Sequence, residues 1–354
     1  MDLIVRRASK TAIEQILEKG ELDIMRDWAA FIPLNCLSAM YGLNTEYRAI
    51  NELHQKLVCI NRALFVLGGT GQRRNPNPNW KEKIKISKSV ILNSGKLLSL
   101  INKLGLTGIQ ELLGGLRKKD GGISTPRPSF EKMPNAVGPM LDLLLMLCEA
   151  LKKTKNIPED SPLKKLIKAY QNGEATFVEV LTNSFFLFLV GYETSASLLS
   201  NGFSYLSEKP YLRDLIRQNP DFSDSLMDES MRFEAPHGRF LRRTIKNVII
   251  GDHEIPAGSI VILLTAAANR DPSFFNNAEE FDTDRGNNNQ HLSFGKGSHA
   301  CIGASLARLQ WKTAITDLAN ETNEIRINFE KSSAMITDRD IGIYRRQSLY
   351  AVVE

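Results

Sequence analysis

The sequence predicts a mainly α-helical protein with small β-sheets, and three observations predict it. Apolar residues recur at helical spacing through most of the stretch from Ala12 to Leu206. Short β-branched runs gather only after Val248. The 354 residues, 42% of them hydrophobic, are enough for one large core. With no repeat and no clean linker, residues 1–354 read as a single domain, a divergent helical part over 1–160 followed by 161–354.

Taken in order, Ala12 to Lys19 places Ile13, Ile16 and Leu17 on one helical face and stops at Gly20. Trp28, Phe31, Leu34, Leu37 and Tyr41 continue at helical spacing up to Gly42. Thr45 to Leu67 reads as a further helix, and Gly68 to Asn79 as a loop of Gly, Asn and Pro. Helices are expected over Trp80 to Leu104 and Met140 to Lys155, with a loop at Lys118 to Pro128 between them. Ser161 and Pro162 suit the N-cap and first position of a helix that Gly173 ends. The apolar run Phe177 to Leu206 predicts the longest helix, and Ala304 to Leu318 the last. Strands are expected at Val248 to Ile250, at Ser259 to Leu264 after the Pro256-Ala257-Gly258 turn, and at Ile325 to Phe329 and Leu349 to Val353.

Composition narrows the function classes. Cys36, Cys59, Cys148 and Cys301 form no CxxC pair, which suits free thiols in a reducing compartment. The net charge of +5 is a mild excess, part of it on a Lys81, Lys83, Lys85 and Lys88 face that reads as solvated. No pattern of basic and stacking aromatic residues points to nucleic acid. The start of the chain lacks the apolar core of a signal peptide. The longest uninterrupted apolar run, Phe185 to Gly191, falls far short of the roughly 20 residues that span a bilayer. A cytoplasmic protein without a membrane anchor is expected.

The chemistry is concentrated in Phe294-Gly295-Lys296-Gly297-Ser298-His299-Ala300-Cys301-Ile302-Gly303. Three glycines bracket one cysteine just ahead of a helix. Glycine serves where backbone takes a positive φ or passes close to something bulky, and a helix N-terminus favours a nearby thiolate. Such a loop can present sulfur to a metal, although an isolated cysteine is more often a buried, inert one. Four further stretches stand upstream. Val190-Gly191-Tyr192-Glu193-Thr194 puts a glycine and a polar pair inside the long apolar helix, where glycine costs about 1 kcal/mol and so should have a local use. Glu229 and Arg232, three apart, can bond as a planar fork on one helix face. Ala268-Asn269-Arg270-Asp271-Pro272 and Pro236-His237-Gly238-Arg239-Phe240-Leu241-Arg242 complete the set. Each alone has a plain reading: close helix packing, a solvated ion pair, or exposed basic residues.

Together these stretches resemble the cytochrome P450 family, over about Leu163 to Leu318. Phe294, Gly297, Cys301 and Gly303 fill every fixed position of the family's cysteine loop, and Gly295 lies within it. The resemblance implies the cytochrome P450 fold, N-terminally abbreviated here, since the family's early strands and helices have no match ahead of Glu21. It implies haem b with Cys301 as axial ligand and propionates held by Arg242 and His299, with Arg239 a weaker candidate. Gly191 would leave room for dioxygen, with Thr194 distorting the helix through a backbone bond and Glu193 relaying protons. Phe186, Leu189 and Val190 would line the distal pocket. Glu229 and Arg232, joined by Arg285 of Phe281-Asp282-Thr283-Asp284-Arg285, would lock the scaffold. The implied activity is a bacterial monooxygenase acting on a small organic substrate with O2 and a ferredoxin or flavodoxin, steered by Lys296, Arg308 and Lys312. A haem–thiolate enzyme of another type, or a non-catalytic homologue acting as a partner protein, remains open.

Overall fold

The computed structural model describes residues 1–18, 20–64, 89, 92–115, 133–153, 157–159, 161–333, 336–338 and 343–354. The loops expected at Gly68 to Asn79 and Lys118 to Pro128, and the lysine face at 81–88, lie outside them.

Helix α1 spans Asp2–Glu18 and buries Val5, Ala8, Ala12, Ile13 and Ile16. It starts ten residues before the expected Ala12, because the i, i+3, i+4 apolar spacing extends upstream and Asp2 favours the first turn. After strand β1 (Glu21–Asp23) comes one π-helical turn, Met25–Ala29, and then α2, Phe31–Met40, buried nearly all round. Gly42, at φ 62°, closes this stretch as expected. Helices α3 (Tyr47–Leu64), α4 (Ser94–Gly115) and α5 (Met133–Lys152) follow. Helix α5 starts ahead of the expected Met140 and carries Pro139 inside its first turns. Helix α6 (Pro162–Gln171) has the expected cap, with Ser161 Oγ accepting from the Lys164 N–H at 3.2 Å.

The longest helix, α7, runs unbroken over Phe177–Glu208. Thr176 and Glu179 begin it with a reciprocal capping box, at 3.2 and 2.8 Å. Two short helices, α8 (Tyr211–Gln218) and α9 (Phe222–Phe233), return the chain toward its far end. Strands β2 (Phe240–Arg243) and β5 (Ile260–Leu263) pair antiparallel, Phe240 against Leu263 and Arg243 against Ile260. Between them β3 (Val248–Ile250) and β4 (His253–Ile255) form a hairpin turning at Gly251, φ 58°. One helical turn, α10 (Thr265–Ala268), precedes the cysteine loop, and α11 (Ala304–Glu321) follows it. Strands β6 (Ile325–Ile327) and β9 (Tyr350–Val353) join β1 in a three-stranded sheet ordered β1-β9-β6, and β7 (Ile336–Asp338) pairs with β8 (Ile343–Arg345).

The core lies where α1, α2, α7 and α11 meet. Trp28, Phe31, Tyr41, Phe188, Phe203 and Trp311 are its largest apolar side chains, all buried. Helices α7 and α11 approach so closely that a Cβ on Gly202 would stand 2.6 Å from both Trp311 and Ile315. The opposite condition holds at β5, where Ile260, Ile262 and Leu263 remain exposed beside Leu264. Among the described residues, no helix is long and apolar enough to cross a membrane.

Candidate functional site

The cysteine loop is built from the backbone outward. Gly295 and Gly297 take φ of 69° and 81°, a conformation that costs a side-chain-bearing residue. Between them the chain reverses, and a 3-10 turn over Gly297–His299 leads to Cys301. The Cys301 N–H donates to the Phe294 carbonyl at 2.8 Å, which ties the two ends of the loop together. The thiol of Cys301 is free and exposed, whereas Cys36 and Cys148 are buried. Burial pushes the Cys36 thiol up to about 12 and the Cys148 thiol up to about 11, so both stay protonated. Lys296, Ser298, His299, Ala300 and Ile302 are also exposed, so the loop presents its sulfur on an open face rather than in the core. A single unburied sulfur on a loop with two left-handed glycines fits a haem–thiolate ligand set.

Behind the loop lies a buried polar lock. Glu229 and Arg232 of α9 are completely buried and bond as a fork, Nη2 to Oε1 and Nε to Oε2, each at 2.8 Å. Arg232 also donates to the carbonyls of Asn269, Ala278 and Glu280. Arg285 stands 3.5 Å from Glu229 Oε2 and donates to the Asn277 and Glu280 carbonyls, while the Asp282 N–H donates to Glu229 at 2.8 Å. All the residues named for this lock from the sequence therefore meet. The sequence reading missed the connection onward to the loop. Asn269 accepts from the Leu292 N–H at 2.7 Å and donates to Ser293 Oγ at 2.8 Å, and Ser293 Oγ donates to the Met231 carbonyl at 2.5 Å. Its signal was the Asn in Ala268-Asn269-Arg270, within reach of a chain that must hold buried backbone groups.

On α7, Thr194 Oγ1 donates to the Val190 carbonyl one turn back, at 3.2 Å. The helix is continuous on both sides of this bond. Glu193 is buried, 6% exposed. Gly191 faces α2. A Cβ there would meet Leu37 of α2 at 3.4 Å, an ordinary contact, so the packing of α2 does not itself require a glycine. Leu189 is buried in the core, Phe186 is exposed, and Val190 and Thr194 are half-buried.

The propionate candidates sit on separate segments. Arg242 lies half-buried on β2, donates to the Leu241 carbonyl at 2.9 Å and lies 5.9 Å over the Phe240 ring. His299 is exposed on the loop. The positive cluster expected for a redox partner is largely neutralised. Lys312 is held by Asp221 and Asp224 at 2.6 and 2.9 Å, and Arg308 by Asp228 at 2.7 Å. Steering by those two is weakened, since each carries its own counter-charge.

Comparison with known proteins agrees with this geometry. Residues 123–320 match the family described as Cytochrome P450. The chain is 36% identical over 170 residues to the biotin biosynthesis cytochrome P450 of Bacillus subtilis (strain 168), covering 48% of this chain and 43% of that protein. It is 32% identical over 186 residues to Cytochrome P450 144 of Mycobacterium tuberculosis (strain CDC 1551 / Oshkosh), covering 52% and 43%. The chain thus spans less than half the length of either relative. The fold is similar to that of CalO2, with a TM-score of 0.71 at 17% identity over 100% of this chain and 72% of that one. It is similar also to P450BioI, solved with hexadec-9Z-enoic acid ligated acyl carrier protein, with a TM-score of 0.68 at 21% identity over 100% and 74%. A helical fold shared with P450 structures, a family match over more than half its length, and a free cysteine on a glycine-hinged loop ahead of α11 lead to one conclusion: the chain belongs to the cytochrome P450 family.

Proposed function

We propose that the protein is a haem–thiolate monooxygenase of the cytoplasm that inserts one oxygen atom from O2 into a small organic substrate. Electrons would come from a ferredoxin or flavodoxin. The observation that carries this reading is the Cys301 thiol, free and exposed on a loop that Gly295 and Gly297 turn outward. Bound haem b supplies the oxygen activation, with thiolate ligation favouring O–O cleavage.

The chain's own residues do the rest. Cys301 would provide the sulfur ligand, and its N–H bond to the Phe294 carbonyl ties its backbone to the loop. Arg242 and His299 would hold propionates as charge-assisted donors. The Thr194 hydroxyl, now bonded to Val190, can turn to pass a proton, and Glu193 one residue earlier supplies a carboxylate from the buried side. Glu229, Arg232 and Arg285 keep the loop's base rigid and take no part in chemistry.

The test is the difference spectrum of the reduced CO complex after haem-replete expression. Thiolate ligation gives a red-shifted Soret band, and Cys301→Ala abolishes it while Cys36→Ala, Cys59→Ala and Cys148→Ala retain it. A band typical of neutral histidine ligation, or no haem uptake, refutes the proposal.

A further inference from the structure

Asp228 stands beside Glu229 but is turned toward the cysteine loop, outside the buried lock. Its Oδ1 lies 2.7 Å from Arg308 Nη2 on α11 and 3.5 Å from His291 Nε2. The His291 Nδ1 accepts from the Ser293 N–H at 3.2 Å, so the ring proton sits on Nε2 and faces the carboxylate. Burial alone would push the Asp228 carboxyl up, but His291 and Arg308 more than offset it and leave it below the usual range. Arg308 holds the carboxylate as a close ion pair, and the His291 Nε2–H faces it as a longer polar contact.

Both partners of Asp228 also touch one ring. The His291 ring centroid is 5.7 Å from that of Phe294, and the Arg308 guanidinium lies 5.5 Å over it. Phe294 is the residue whose carbonyl receives the Cys301 N–H. A continuous path therefore runs from one carboxylate, through two cationic or polar side chains, to the ring and carbonyl that aim the cysteine.

We infer that Asp228 is a positioning residue for Cys301, acting through His291, Arg308 and Phe294. The inference rests on the reading of Cys301 as the haem ligand, and its test separates the two. In the apoprotein, the rate of Cys301 modification by a disulfide reagent is measured against a Cys301→Ala background. In the haem-loaded protein, the rate at which the thiolate-type CO band converts to the neutral-thiol band is followed.

Asp228→Asn is expected to raise both rates by at least about threefold, the effect of losing a coupled contact pair, with the thermal transition close to wild type. Arg308→Ala should give a similar rise without adding to that of Asp228→Asn, and Arg308→Lys should recover part of it. Arg308 is partly exposed, so its variants fold even where Asp228→Asn does not. Folded Asp228→Asn and Arg308→Ala with wild-type rates in both measurements overturn the inference. If wild type itself shows no thiolate band, the reading of Cys301 fails, and the apoprotein rates decide the positioning role alone.

Discussion

Replacing Gly202 by alanine sets two effects of opposite sign against each other within one helix. Gly202 lies inside α7, where alanine gains about 1 kcal/mol of helix propensity. The new methyl, however, would stand 2.6 Å from Trp311 Cη2 and 2.6 Å from Ile315 Cδ1. Trp311 cannot yield easily, because it is wholly buried and its Nε1 donates to the Ser223 carbonyl at 2.8 Å. Overpacking of this kind costs about 3 kcal/mol or somewhat more, leaving a net loss of about 2 kcal/mol. For a chain of 354 residues that lowers the thermal midpoint by about 3 °C. Gly191→Ala is the internal control. It makes the same substitution in the same helix but meets Leu37 only at an ordinary 3.4 Å, so it should be neutral or stabilising by up to about 1 kcal/mol. Calorimetry or urea unfolding of the three proteins decides. Gly202→Ala as stable as wild type, or Gly191→Ala equally damaging, would refute the packing argument.

Glu229→Ala should cost about 3–5 kcal/mol in urea unfolding, because it strands the buried Arg232 charge; a loss below about 1 kcal/mol would show that the backbone carbonyls alone satisfy the arginine. His54 titrates at about 4, lowered by burial first and by Arg26 second. Unfolded, it takes its proton near 6.5, so stability falls as pH drops from about 6.5 to 4, by at most about 3 kcal/mol and less where solvent reaches the ring. His54→Gln should flatten that window, and an unchanged slope would place the acid sensitivity elsewhere. Thr194→Ala should retain haem while diverting reducing equivalents to peroxide in a substrate-triggered assay; unchanged coupling of cofactor use to product would remove Thr194 from proton delivery.

Much of the helical framework was legible because its periodicity is strong. The run from Phe177 ended within two residues of its observed limit, and the Ser161-Pro162 start was found from cap chemistry alone. Strands β2 and β4 were not, since Phe240–Arg243 ends in two adjacent arginines, His253–Ile255 has one apolar residue, and both bury little. β1 was hidden for another reason: three residues acquire strand geometry only through partners far along the chain. In the candidate site, the lock of Glu229, Arg232 and Arg285 was readable from spacing and resemblance. The Asp228, His291 and Arg308 group was not, because its members come from three segments and no local pattern joins them. The neighbour of Gly191 was not legible either, because Leu37 comes from a distant helix.

The sheet that β1 completes has a consequence for the order in which the chain can fold. Glu21 pairs with Val352 and Asp23 with Tyr350, while β6 holds the other edge of the same last strand. Strand β1 is made long before its partner β9, because most of the described chain lies between them. Until then the first helix has no sheet to anchor its end, and closing so distant a contact makes this step slow. Two stretches distant in sequence thus become neighbours at the same moment, and removing Tyr350–Val353 would undo order at both Glu21–Asp23 and Ile325–Ile327.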